Sequence, residues 1–355
     1  MTTGPIIPET SFHPRPTGWY AVATSAELRP GCVQSKELFS QRFAVFRSEA
    51  GVASVLGATC PHLGADLSRG RVCGEHLRCP FHGFEFDRAG RCAAIPSEGR
   101  PPPRAQTRSL PVREREGLIL AWWDEHGRAP SWEPAALETQ GWSTLHTRRF
   151  ELRAHPLSTS ENSVDLAHFS SVHGFEALEV LEPARAEGPY LSARYRFVHR
   201  FARLPVENLF RVHLWGLGYS LVENLTPSLG LATRLWVLAT PTRPGHMELR
   251  VGTSTRTRLA VVEGGEQSPW SPAIRGRSLG RATTELIARF ALRTLAADVS
   301  ADFDIWSHRT HVERPALAKG DGAIALYRRW ARQFDVSPEP PANPGPTLHT
   351  LRARA

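Results

Sequence analysis

Apolar positions follow two rhythms along the chain. Up to residue 123 they form short dense runs separated by turn residues: Trp19-Tyr-Ala-Val-Ala, Phe43-Ala-Val-Phe, Val52-Ala-Ser-Val-Leu and Leu118-Ile-Leu-Ala-Trp-Trp. Runs of that length and punctuation read as β-strands. They predict a small antiparallel β-domain over residues 18–125, after an extension at 1–17. Pro130 and Pro134 mark residues 126–144 as a linker. Beyond it lies a second domain at 145–340, ahead of a tail at 341–355. Residues 145–153 alternate like a strand, and residues 160–172 have helical spacing with Ser160 as N-cap and Gly174 as stop. Longer strand-like stretches follow at 190–201, 209–221, 231–240 and 247–255. A Gly/Pro/Ser-rich loop at 264–280 and helical patterns at 281–297, 302–308 and 324–334 complete the chain. An antiparallel sheet covered by helices is the simplest packing, an α+β layer.

The first domain carries the more specific chemistry. Cys60-Pro-His62 is followed, after a glycine-punctuated stretch, by Cys79-Pro-Phe-His82. Each half offers one thiolate and one imidazole. A Rieske [2Fe–2S] centre needs that division, two cysteines on one iron and two histidines on the other. Two Cys plus two His is also a zinc inventory, although zinc pairs usually run Cys-Cys and then His-His. Gly64 and Gly83, each close behind its histidine, let the backbone turn around a cluster.

A second constellation is Asp165-Leu-Ala-His168-Phe-Ser-Ser-Val-His173-Gly174. On a helix Asp165 and His168 share a face, and Gly174 allows His173 to swing back beside His168. Two histidines and one carboxylate make the ligand set of non-haem Fe(II) oxygenases. Asp165 suits a supporting role fixing a histidine's tautomer or bridging electrons, so the carboxylate is sought in the acidic cluster Asp298, Asp302 and Asp304. Spacing alone leaves Asp302 and Asp304 both open. The remaining histidines are ordinary surface or packed residues.

Bulk properties narrow the class. The net charge is +8, yet Lys36 and Lys319 are the only lysines and the arginines are dispersed. Without an aromatic-basic stripe this excludes a nucleic-acid reading and suits docking of an acidic electron-transfer partner. Residues 1–10 show no basic start or apolar core, and no apolar run approaches the length of a membrane span. A cytoplasmic protein, at most peripheral at a membrane, is expected. Its five cysteines then read as metal ligands or small buried side chains rather than disulfides.

Taken in this order, both constellations resemble the oxygenase components of Rieske non-haem iron oxygenases. Within that family Cys60–Ser68, Cys79–Phe84, Glu161-Asn162 with His168-Phe169, and the tail Glu313-Arg-Pro, Gly320-Asp-Gly, Arg328-Arg-Trp330, Gln333-Phe334 are most similar to cholesterol 7-desaturases and 3-ketosteroid 9α-hydroxylase oxygenases. Phe84 and Asp335 depart from the usual tryptophan and tyrosine. The resemblance implies a helix-grip (START-like) catalytic domain with a curved sheet around an apolar pocket. It implies a [2Fe–2S] cluster on Cys60, His62, Cys79 and His82, and mononuclear Fe(II) on His168, His173 and Asp302, with Asn162 a weaker supporting candidate. Asp165 would link one subunit's cluster to the next subunit's iron in a homotrimer. Electrons would come from NAD(P)H through a ferredoxin or reductase, and O₂ would serve to hydroxylate or desaturate a sterol or steroid. Rivals are another hydrophobic substrate (aromatic, pigment or alkaloid) and an electron carrier fused to a lipid-binding module.

Overall fold

The computed structural model describes residues 6–8, 15–96, 99–201, 204–257 and 280–335. Three small antiparallel sheets form the N-terminal part. One runs in the order Ser109–Leu110, Ala53–Gly57, Gln41–Arg47, Val33–Leu38, and a second in the order Val112–Arg115, Leu118–Trp123, Gly18–Thr24. The third joins Arg71–Cys73, His76–Arg78, Glu85–Phe86 and Cys92–Ala94; the Cys79–His82 loop connects two of its strands, and the Cys60–His62 loop leads into it from Ala53–Gly57 of the first sheet.

The strands Gly18–Thr24 and Leu118–Trp123 are buried at every position because each serves two cores. A strand sends alternate side chains to opposite faces. Tyr20, Val22, Ile119, Ala121 and Trp123 point into the core of the small domain. Trp19, Ala21, Leu118, Leu120 and Trp122 meet Trp215, Tyr219, Leu221, Trp236 and Leu238 of the large sheet. The apolar runs that predicted simple strands are therefore also the seam between the two parts. The seam has polar stitches in Thr240 Oγ1 donating to the Ala21 carbonyl at 2.9 Å and Lys36 paired with Glu248 at 2.6 Å.

The large sheet has seven antiparallel strands in the order His146–Leu152, Met247–Thr257, Leu231–Pro241, Tyr219–Thr226, Leu204–Trp215, Tyr190–Phe201, Glu176–Glu187. The 20-residue helix Arg281–Ser300 lies across one end, where Thr253 and Thr255 donate their hydroxyls to the helix carbonyls of Ala288 and Thr284 at 2.8 and 3.0 Å. This is the helix-grip arrangement of an α+β fold, as expected. No helix among the described residues is long and apolar enough to cross a membrane.

Outside the metal site two local readings differ from the structure. The stretch at 209–221 is not one strand but the arms of a hairpin, Leu204–Trp215 and Tyr219–Thr226. Gly216 takes the turn at φ +62° while Leu217 stays buried, so the apolar alternation runs on through the bend. The edge strand Glu176–Glu187 was not anticipated. Most of the predicted loop at 264–280 and the tail at 341–355 fall outside the described residues.

Candidate metal centres and the adjoining cavity

The two Cys/His loops are built alike. Cys60 N–H donates to the Ala65 carbonyl and Cys79 N–H to that of Phe84, both at 2.8 Å. Gly64 and Gly83 turn at φ +78° and +69°, and a Cβ on Gly83 would stand 2.8 Å from Pro96 Cγ. The loops tuck Cys60 and Cys79 inside, 2 % and 4 % exposed, and leave His62 and His82 at the surface. The imidazole centroids are 4.8 Å apart, with His62 stacked on Phe84 at 4.4 Å. Burial pushes the Cys60 thiol up to about 11, and its neighbour Cys79 adds to this against the main-chain N–H groups of His62 and Leu63. Such a thiol stays protonated near neutral pH and is deprotonated outright when it coordinates a metal. The donors are thus split into an inner sulfur pair and an outer imidazole pair. Among the described residues, the group of three or more candidate ligand atoms within 4.8 Å of one another is His168, His173 and Asp302. No three of the Cys60–His82 donors meet that closely, as the four ligands of one zinc ion would.

The second centre depends on a broken helix. In place of one helix starting at Ser160, the chain forms Pro156–Glu161, capped by His155, then a 3₁₀ turn at Asn162–Val164, then the six-residue helix Leu166–Ser171. Ser160 instead donates its hydroxyl to the Leu217 carbonyl. Asp165 leaves the helical region at φ −90°, ψ 96° and caps the next helix. Gly174, at φ +66°, turns the chain back so that Phe175 N–H reaches the Phe169 carbonyl. His173 thereby returns to His168, and their Nε2 atoms face each other at 3.0 Å.

Asp302 joins them from the far end of the chain. It is 3 % exposed, with Oδ1 3.2 Å from His168 Nε2 and Oδ2 3.6 Å from His173 Nε2. Its Oδ1 is buried without a hydrogen-bond donor among the described residues. Asp304 points away, its side chain 91 % exposed and paired with His308. Burial pushes the His168 imidazole down, reinforced by His173 and opposed by Asp302 and Asp165, which favours the neutral form that binds metal. An orphaned carboxylate oxygen and two imidazole nitrogens turned on one point fit a divalent ion of the two-His, one-carboxylate type. Asn162 contributes its amide nitrogen 3.2 Å from His168 Nε2.

A cavity of about 460 Å³ adjoins this centre between the large sheet and the long helix. Phe197, Phe210, Leu235, Phe290 and Leu295 supply apolar walls, and Asp298, one turn before Asp302, lies at its edge. The ring of Phe175 joins the two sites, 5.7 Å from that of His173 and stacked on Phe197 at 4.1 Å. Polar groups on the sheet side are grouped: Asn208 Oδ1 accepts from Thr226 Oγ1 at 2.9 Å and Asn224 Nδ2 at 3.1 Å. Asp298 belongs to the acidic cluster that the sequence already marks, whereas Phe175 and this trio carry no spacing signal, since they come from separate elements.

Known proteins match along nearly the whole length. Residues 18–112 match the family model of the Rieske [2Fe-2S] domain, and residues 121–334 that of the 3-ketosteroid 9alpha-hydroxylase C-terminal domain. A cholesterol 7-desaturase of Ciona intestinalis is 31% identical over 354 residues, spanning 92% of this chain and 70% of that protein. The oxygenase component of a 3-ketosteroid-9-alpha-monooxygenase from Rhodococcus rhodochrous is 27% identical over 346 residues, spanning 91% and 85%. Among solved structures, apo dicamba monooxygenase shares the fold with a TM-score of 0.65 at 21% identity, over 91% of this chain and 97% of that one. A Rieske domain joined to a helix-grip sheet defines an oxygenase component. The chain belongs to the Rieske oxygenases, in the branch with the 3-ketosteroid 9alpha-hydroxylase type of C-terminal domain.

Proposed function

We propose that this oxygenase component hydroxylates or desaturates the ring system of a sterol or steroid. The observation that carries the reading is the convergence of His168, His173 and Asp302 beside an apolar cavity of about 460 Å³. That volume lies within the ~300–1,000 Å³ typical of small-molecule sites, which pair apolar walls with few polar anchors. The cholesterol 7-desaturase and ketosteroid monooxygenase relatives support the substrate class.

In this reading Cys60, His62, Cys79 and His82 hold the cluster, and His168, His173 and Asp302 hold ferrous iron. When bound, the cluster passes single electrons and the ferrous ion activates O₂. The protein's own residues do the rest. Burial keeps His168 neutral, with its nitrogen available. Phe197 walls the cavity and Phe175, stacked behind it against His173, helps keep water from the reacting carbon. Asp165, anchored by the main chain of His168, would be the bridge between a neighbouring subunit's cluster and this iron in a homotrimer. A ferredoxin or reductase drawing on NAD(P)H supplies the electrons, and the exposed His62 and His82 are the point of entry. Incubation with a panel of sterols and ketosteroids, a reductase and O₂, followed by mass spectrometry, tests the proposal. A product heavier by one oxygen or lighter by two hydrogens is expected, and no O₂-dependent product from any member would overturn it.

A further inference from the structure

Nothing local aims the Asp302 carboxylate. It makes no capping hydrogen bond to the helix it precedes, Phe303–His308, and its Oδ1 has no donor among the described residues. Its place relative to the histidines is therefore that of its main chain, which donates its N–H to the Val299 carbonyl at the end of the long helix at 3.2 Å and accepts Trp306 N–H at 2.8 Å in the short helix it opens. The helix is held on its apolar side by Phe303 against Phe150, with centroids 5.0 Å apart, and by the buried Trp306. At its other end Arg309 caps it, donating its N–H to the Ile305 carbonyl at 2.9 Å. The Arg309 guanidinium then reaches across the sequence to Glu161.

Glu161 is 5 % exposed and ends the helix Pro156–Glu161, immediately before Asn162, whose amide touches His168. Its second oxygen is held by Arg328 Nε at 2.5 Å. Arg328 sits on the C-terminal helix Gly322–Ala331 and also donates to the Val312 carbonyl at 2.7 Å. It thus ties Glu161 to that helix and to the strand Thr310–Val312 beyond Arg309, whereas Arg309 is itself the residue that closes the Asp302 helix. A buried carboxylate between two guanidinium groups is a poor source of net stability, and its best-attested use is to fix one arrangement among several. Here the arrangement it fixes is that of the two halves of one metal site.

We propose that Glu161 is a positioning residue for the mononuclear centre: through Arg309 it sets the distance between the Asp302 carboxylate and the pair His168 and His173. This rests on the reading of those three residues as the iron ligands. The test uses the full chain with its cluster loaded and the mononuclear site stripped by a mild chelator, then dialysed anaerobically against radioactive ferrous iron. Glu161→Gln and Arg309→Met weaken ferrous binding about 10–100-fold, the usual cost of losing a residue that orients a metal ligand, whereas Arg328→Met changes it less than about 3-fold. Arg309→Lys keeps the charge but loses the planar fork. It serves where the larger changes do not fold, and a loss of about tenfold is expected. Wild-type affinity in Glu161→Gln and Arg309→Met, with a native cluster spectrum, overturns the proposal, as does an equal loss in Arg328→Met and Arg309→Met. If the wild-type chain takes up no ferrous ion, the ligand reading falls and this proposal with it. A native site with unchanged variants sinks the proposal alone.

Discussion

The carboxylate of Asp165 accepts the main-chain N–H of His168 at 3.0 Å, capping the helix whose first turn presents that histidine. The same side chain is the proposed electron bridge between subunits, and the two roles separate by substitution. Asn is as good an N-cap as Asp, while Ala costs about 0.5–2 kcal/mol. Asp165→Asn is expected to unfold at the wild-type denaturant midpoint yet lose at least about tenfold in product formation, on the scale of lost metal-site support. Asp165→Ala loses both. Urea titrations beside turnover assays check this; full turnover in Asp165→Asn would leave capping as the sole role.

Asp302 and Asp304 stand two residues apart with opposite surroundings, one buried against the histidines and one in solvent. Asp302→Ala is expected to lose the mononuclear iron while the cluster's visible spectrum is unchanged. Asp304→Ala should retain both, with stability within about 0.5 kcal/mol of wild type, as for most surface changes. Iron analysis of both variants decides it.

The cavity sets substrate size. Ala291 lines it, and Ala291→Trp fills space that a four-ring substrate needs. Turnover of sterols is expected to fall by about tenfold or more, the effect of a few lost methylene contacts in an apolar pocket, with iron content unchanged. Steady-state kinetics with sterols of graded side-chain length would show whether the loss scales with size.

The seam between the two parts is tight at the hairpin turn. A Cβ on Gly218 would stand 2.6 Å from the Trp19 carbonyl oxygen and 2.5 Å from Tyr20 Cδ1. Gly218→Ala is expected to destabilise by about 1–3 kcal/mol, the cost of overpacking, read as a lowered denaturant midpoint.

Asp124 gives a pH dependence with a definite sign. Burial pushes its carboxyl up but is outweighed by hydrogen bonds from Arg128 and Thr17, which hold it at about 2. A depressed folded value means that the stabilisation is complete above the unfolded value of 3.8 and is lost as pH falls towards about 2. The shift corresponds to about 2 kcal/mol. Asp124→Asn should be less stable than wild type by that order at pH 7, and the gap should close on acidification, as thermal unfolding at several pH values would show.

Much of this was legible from residues adjacent in sequence. The Cys60–His62 and Cys79–His82 loops and the His168–His173 spacing carry their chemistry within a few residues, and local backbone turns place them. The edge strand Glu176–Glu187 was hidden because its pattern is charge rather than apolar alternation. Glu176, Glu179 and Glu182 pair with Arg200, Arg196 and Arg194 of the next strand, and Pro183 is tolerated only because the strand lies at the sheet edge. The helix break at Asp165 was missed because a capping aspartate and a mid-helix aspartate look alike until the backbone is seen. Glu161 and its partners Arg309 and Arg328 lie 148 and 167 residues apart, and no local pattern reports such a pairing.

The central claim is that two iron centres of different kind share this chain. Electron paramagnetic resonance of anaerobic, dithionite-reduced protein exposed to nitric oxide tests it most directly. A cluster signal with average g below two, together with the half-integer high-spin signal of a ferrous–nitrosyl adduct, is expected, the second alone vanishing in Asp302→Ala. A reduced sample with the cluster signal and no nitrosyl adduct, or an adduct that survives Asp302→Ala, would contradict the account.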